Sequence, residues 1–224
     1  MDVTDDESMS SGIEKIIAET GRIDVLVNNA GYGSFGAIED VPIDEARRQF
    51  EVNVFGLARL TQLVLPHMRA QRSGTIINIS SIGGRFTTLL GGWYHASKHA
   101  VEALSDALRM ETAPFGIDVV VIEPGLIRTE WSGIAANHLE ETAEGSAYAS
   151  QIKAVANSMR SESTNKRQSP PSVIADTVKK IVTARKPRTR YVVGFAAKPL
   201  VTLRRLLPDR AFDRLISAGQ GARR

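Results

Sequence analysis

The chain has 224 residues, of which 42% are hydrophobic and 24% charged, with a net charge of +3. This is the composition of one folded domain with a real core, and neither the charge nor any motif points to nucleic acid. The absence of cysteine excludes disulfides, thiolate metal sites and cysteine nucleophiles, no apolar run approaches the ~20 residues of a membrane span, and the acidic start MDVTDDESMS is no secretory signal, so a cytoplasmic protein is expected.

In chain order, RIDVLVNNAG carries a short aliphatic run, Ile23 to Val27, that reads as a buried parallel strand closed by Asn-Asn and Gly. A long helix follows, with Phe50, Val54, Leu57 and Leu60 on one side. Gly74 opens a second strand, GTIINISS. A helix beginning near Trp93 stops at Pro114-Phe115-Gly116. IDVVVIEPG is a third strand, and the polar stretch from about Thr129 to Ser169 reads as a long loop with short helices. A helix over Ser172–Arg185 and a strand RYVVG complete the pattern. Alternating strands and helices predict an α/β fold with a doubly wound parallel sheet. One domain is expected over residues 1–224, with a substrate-loop region at 126–169 and a basic helical tail at 198–224.

Ligands of such sheets sit at the carboxyl ends of the strands. Asn29 and Gly31, Ser80 and Ser81, and Pro124 and Gly125 all fall there. The helix after the second strand carries Tyr94 and Lys98, four residues apart. Helical spacing puts Tyr94, Lys98, Val101, Ser105 and Leu108 on one stripe and Ala96, Ala100, Ala103 and Ala107 on the opposite one. A free phenol has a pKa of about 10, too high for a good base at neutral pH. A cation four residues away would lower it, so that the phenol can exchange a proton with a carbonyl/alcohol pair. A hydroxyl such as Ser81 could steady the same oxygen. The alanine stripe would admit a helix of a second subunit. His95 and His99 have the spacing of a metal pair, but they fall on the polar flank with Glu102 and lack a distant third ligand, so no metal is expected.

Five motifs occur in one order: NNAG at Asn28–Gly31, NVFG at Asn53–Gly56, INISS ending at Ser81, YHASK at Tyr94–Lys98 and EPGLIRTE at Glu123–Glu130. Together they resemble the short-chain dehydrogenase/reductase family over nearly the whole chain. RIDVLVNNAGYG, FEVNVFG, ALSDALRMETAPFGI and the late RYVVG and LRRLLPD resemble its 17β-hydroxysteroid dehydrogenase-like group more closely. The resemblance implies hydride transfer between NAD or NADP and a ketone or secondary alcohol. It makes Tyr94 the acid/base, with Lys98 lowering its pKa and binding the nicotinamide ribose. Asn53 holds a water of the proton relay. Ser81 orients the substrate oxygen, with Ser80 as its rival and the spacing to Tyr94 favouring Ser81. Asn29, Ala30 and Gly31 resemble the cofactor-contacting turn, and Pro124, Gly125, Ile127 and Thr129 the loop that seats the carboxamide. Asp2 and Val3 match the pair beside the adenine. Phe35, Ile82, Leu89, Leu90 and Trp131 fall near cleft-forming loops, which suits a bulky apolar substrate such as a steroid or lipid.

One element of the family pattern, the glycine-rich turn T-G-x-x-x-G-x-G, does not occur in this sequence. The resemblance therefore implies an N-terminally incomplete Rossmann-type sheet, short of about two βα units at ~30 residues each. On that expectation two functions stand: an oxidoreductase, or a non-catalytic binding or regulatory protein that keeps the cleft without turnover. A homo-oligomer, dimer or tetramer, is expected. The tail KPLVTLRRLLPDRAFDRLI could touch a membrane surface, although Pro208 and two Asp favour packing against the cleft or another subunit.

Overall fold

All strands of the sheet run parallel, and β2 lies beside β3 at its centre. In the computed structural model, which describes residues 1–161 and 166–221, β1 (Val25–Asn28), β2 (Gly74–Ile79), β3 (Ile117–Pro124) and β4 (Arg190–Val193) stand in the order β1-β2-β3-β4. Val27 pairs with Ile77, Ile77 with Val120, and Ile122 with Tyr191. Ile76, Ile77 and Val119 to Ile122 are all buried, so the inner strands show no polar alternation.

Helices cover both faces. On one, α1 (Asp6–Thr20) and α3 (Leu57–Gln71) set Met9, Ile13, Leu60, Val64 and Met68 against Ile76, Ile117 and Val119. On the other, the helix Ser172–Thr183 packs Ile181 against Ile77, Val120 and Ile122. That cluster stops at β2, and Val25 and Val27 of β1 remain 38% and 40% exposed. Helix α1 was not expected from the polar N-terminus. Its signals are local: the Asp5 carboxylate caps the backbone N–H groups of Glu7 and Ser8, and Met9, Ile13 and Ile17 repeat at one-turn spacing. Gly21, at φ 72°, ends it.

α2 (Ile43–Phe50) runs into α3 through a π-helical turn, Glu51–Gly56. α4 (Gly92–Thr112) follows β2 and a short 3₁₀ turn at Ile82–Gly84. A polar ladder crosses beneath these helices. Asn28 Nδ2 donates to Asn78 Oδ1 at 2.9 Å, and Asn78 Nδ2 to Ser105 Oγ at 2.9 Å. Asn28 and Asn78 are direct partners across β1 and β2, so a register slip would leave buried amides unpaired.

The stretch expected as a long loop with short helices holds two helices of more than ten residues, α5 (Trp131–Glu141) and α6 (Ala149–Arg160), packed on each other. Ala135, Ala136 and Leu139 of one meet Ile152, Val155 and Ala156 of the other, all fully buried with Phe35 and Tyr94 in the same cluster. Small residues at the contact let the helices approach, and the polar outer faces hid this stripe in the sequence. Residues 162–165 of that stretch lie outside the described residues. Pro208 divides the tail into two helices, Ala197–Leu206 and Asp209–Gly219. Phe212 packs edge-on against Phe86 at 5.2 Å, and Gln220 Oε1 accepts from the Leu89 backbone N–H. Residues 222–224 are likewise outside the described residues. Among the described residues no helix is long and apolar enough to cross a membrane.

Candidate active site

The Tyr94 stripe of α4 faces inwards: Tyr94, Lys98, Val101 and Ser105 are all buried. The Tyr94 ring lies 5.6 Å from Phe35 and 5.4 Å from Trp131, which makes an aromatic wall around the phenol. Burial pushes the phenol above its ordinary pKa, and a hydrogen bond from Ser81 pulls it back part of the way. This differs from the expected lowering by Lys98. Desolvation acts on the phenolate more strongly than any neighbouring charge in this state.

The Lys98 ammonium donates to the Ile79 carbonyl oxygen at 2.9 Å. Burial pushes its pKa down to about 8, while Glu102, one turn along, works in the opposite direction. An ammonium has three hydrogens, so two remain for other partners. Glu102 was expected on a polar flank, and it is buried there. Arg190 Nε stands 3.0 Å from Glu102 and 3.2 Å from the fully buried Glu123 carboxylate, and its NH2 group 2.7 Å from Asp106. Arg85 reaches the same two glutamates at 3.7–3.8 Å. The two arginines come from β4 and from the loop after β2, outside α4, which is why the α4 pattern alone misplaced Glu102.

Asn53 sits in the π turn, 1% exposed. Its Oδ1 accepts from the Tyr32 backbone N–H at 3.0 Å, and its Nδ2 donates to the Tyr32 carbonyl at 2.9 Å and to Ser97 Oγ at 3.0 Å. Both amide hydrogens are therefore committed, and one Oδ1 lone pair is left. Asn53 thus clamps the turn after β1 to α4. The π turn is what aims it there, since an extra residue in the helix rotates one side chain out of the regular stripe.

Asn29, Ala30 and Gly31 form an exposed turn at the end of β1. A Cβ on Gly31 would lie 3.0 Å from Asn53 Oδ1 and 3.5 Å from Lys98 Nζ, so only glycine leaves that ammonium open to a ligand. A cavity of about 470 Å³ opens here, lined by Gly31, Tyr32, Gly33, Thr129, Glu130, Trp131 and Ile134. Pro124 and Gly125 end β3. The Gly125 N–H donates to the Val193 carbonyl at 2.8 Å, and a side chain there would strike the Phe195 carbonyl. Ile127 bridges to Ser169, and Thr129 Oγ1 accepts from the Trp131 N–H at 3.3 Å. Val3 packs against Gly56 at the head of α3, whereas the exposed Asp2 carboxylate bonds Thr4 at 2.7–2.8 Å. Of the two serines, Ser81 adjoins the phenol, and Ser80 Oγ is buried without a hydrogen-bond partner among the described residues.

His95 was expected on the polar flank and is instead 4% exposed, 5.4 Å from the Tyr94 ring; His99 is exposed, with Nδ1 2.8 Å from the His95 carbonyl oxygen. Among the described residues no three potential metal ligands cluster. Burial pushes His95 down to about 4. Its folded pKa lies below the unfolded value near 6.5, so the unfolded chain binds the extra proton between these limits. The stability it supports is present above pH 6.5 and is lost as pH falls towards 4, by about 3 kcal/mol. Urea unfolding at pH 7 and pH 4.5 should show this loss, and His95→Asn should flatten it; an equally steep variant would assign the loss to carboxylates.

A parallel sheet, a buried tyrosine and lysine one helical turn apart, and a serine on the phenol define a nicotinamide-dependent oxidoreductase of the Rossmann type. The short chain dehydrogenase model matches residues 1–139, and the chain belongs to that family. The probable short-chain type dehydrogenase/reductase VdlC of Helicobacter pylori is 39% identical over 215 residues, 96% of this chain and 78% of its own. The NADPH-dependent 3-dehydrocapnine reductase of Ornithobacterium rhinotracheale is 39% identical over 223 residues, 96% of this chain and 77% of its own. A short-chain dehydrogenase of Streptomyces avermitilis has a solved structure that superposes with a TM-score of 0.77 at 31% identity, covering all of this chain and 79% of that one. The cofactor is NAD or NADP.

Proposed function

We propose that the protein reduces an apolar ketone, steroid- or lipid-like, or oxidises the matching secondary alcohol, as a member of the hydroxysteroid dehydrogenase-like group. The single observation that carries this reading is the Tyr94 phenol, buried between Ser81 and the aromatic wall of Phe35 and Trp131 with Lys98 one turn away. The residues present fit a nicotinamide: the Gly31 turn leaves space beside a buried ammonium with two free hydrogens. Lys98 and Tyr94 would hold its ribose, Asn29, Ala30 and Gly31 its approach, and Pro124, Gly125, Ile127 and Thr129 its carboxamide. Asp2 and Val3 would stand at the adenine. The bound nicotinamide supplies or takes the hydride.

The chain's own residues handle the proton. Ser81 donates a hydrogen bond to the substrate oxygen and so favours charge developing there. Tyr94 gives its phenolic hydrogen to that oxygen in reduction and removes it in oxidation. The Lys98 charge stabilises the phenolate left behind, and the remaining Asn53 lone pair can hold a water that returns the proton. Phe35 and Trp131 exclude bulk water from the oxygen.

The test is a titration of NADH and NADPH into the full chain by nicotinamide fluorescence, followed by turnover with long-chain and steroid ketones. Binding and turnover with either cofactor are expected. Binding without turnover on any ketone would favour a cleft kept for recognition alone, and absence of binding would overturn the reading.

The same reading includes a homo-oligomer built on α4 and the helix before it. Ala96 and Ala103 are exposed, and Phe55, Leu104 and Met110 are 55%, 42% and 65% exposed. Ala100→Arg with Ala103→Glu should shift the sedimenting species towards monomer. A wild type already monomeric at micromolar concentration would remove this part.

A further inference from the structure

His95 follows the candidate acid in sequence, and its ring is fixed at both nitrogens. Nδ1 lies 3.0 Å from the Gly83 carbonyl oxygen, which can only accept, so Nδ1 carries the hydrogen. Nε2 then accepts from the Thr88 hydroxyl at 2.9 Å. Burial keeps the ring neutral, which this arrangement requires. The ring fits only because its neighbours are small: a Cβ on Gly83 or on Gly91 would stand 2.6 Å from a ring nitrogen.

Gly83 is also held at its other backbone group. Its N–H donates to Ser81 Oγ at 3.0 Å. A serine hydroxyl has one hydrogen, and with Oγ accepting from the loop, that hydrogen is left to point at the oxygen beside Tyr94. Thr88, His95, Gly83, Ser81 and Tyr94 thus form one chain of contacts, with the donor direction fixed from Thr88 as far as Ser81.

We propose that His95 is a positioning residue: by anchoring Gly83 at its carbonyl, it holds the Gly83 N–H on Ser81 and so aims the serine hydroxyl at the reacting oxygen. The proposal rests on the reading of Tyr94 and Ser81 given above. A histidine that only filled the core would leave Ser81 indifferent to its loss.

The first measurement needs no turnover. Nitrogen NMR of the full chain should show His95 as the Nδ1–H tautomer, without titration between pH 5.5 and 8. Hydrogen exchange of the Gly83 amide should speed up about tenfold in His95→Leu relative to the Val120 amide of the sheet interior. His95→Asn, whose amide can reach the same carbonyl, should restore protection. Thr88→Val tests the chain from its partly exposed end and should release the tautomer. An Nε2–H tautomer in the wild type, or a Gly83 amide unmoved by His95→Leu or, should that variant not fold, by Thr88→Val, would overturn the proposal. The second measurement uses ketone reduction. His95→Leu should lower kcat about tenfold with the cofactor KM unchanged, and should lower it no further in Ser81→Ala. Additive losses would place His95 outside this chain. A wild type that binds the cofactor without turnover would sink the functional reading while the NMR result still decided the position of His95.

Discussion

Tyr94→Phe should lower kcat by about 10²–10⁴-fold and leave nicotinamide affinity nearly unchanged. The substitution removes one hydroxyl and little else. The ring contacts with Phe35 and Trp131 are those of a six-membered aromatic and survive in Phe. The buried hydroxyl is held above its ordinary pKa, so no stabilising charge is lost with it. Thermal unfolding should therefore hold steady while turnover collapses. Single-turnover hydride transfer, followed by the loss of NADPH absorbance at saturating ketone, is the direct measurement. A variant that keeps near wild-type kcat on its best ketone would remove Tyr94 from the chemistry.

Lys98→Met should separate activity from stability even more clearly. A buried ammonium depressed to about 8 is held in the folded chain against its preference. The folded pKa lies below the unfolded value of about 10.4, so the native state is penalised below pH 8, and the penalty is relieved as pH rises through 8 towards the unfolded value. At neutral pH the penalty is about 3 kcal/mol, against about 1–3 kcal/mol for leaving the Ile79 carbonyl without its donor. Met fills similar volume. The variant should therefore unfold at the same urea concentration as the wild type or slightly higher. Its rate and its cofactor affinity should both fall, because in the proposed function one ammonium serves the phenol and the ribose. The wild-type rate should also decline as pH rises through about 8 where that charge is lost, and this limb should vanish in the variant. A variant less stable than wild type with normal cofactor affinity would make Lys98 a structural residue.

Much of this was legible because the sheet writes itself in continuous aliphatic runs. Ile76-Ile77 and Val119 to Ile122 have no polar alternation to disguise them, and the parallel α/β sheet followed from the alternation with helices. Tyr94 and Lys98 could be placed because helical spacing needs only local sequence. What stayed hidden depended on partners distant in the chain. His95 and Glu102 look like polar surface residues until Gly83, Thr88 and Arg190 arrive from other parts of the chain. The cluster of α5 and α6 was masked by polar outer faces. The π turn left no trace, since Phe50, Val54, Leu57 and Leu60 satisfy an ordinary helical stripe that runs straight through it.

That turn makes the length of this segment as consequential as its composition. Removing any one residue between Glu51 and Gly56 would let α2 and α3 join as an uninterrupted α-helix, the commoner and locally better-bonded form. It would also carry the residue at position 53 away from Tyr32 and Ser97, while α2 kept its phase relative to α3. A deletion library across this segment would thus favour helix content at the expense of the site, the reverse of the usual case in which shortening a helix harms the fold first.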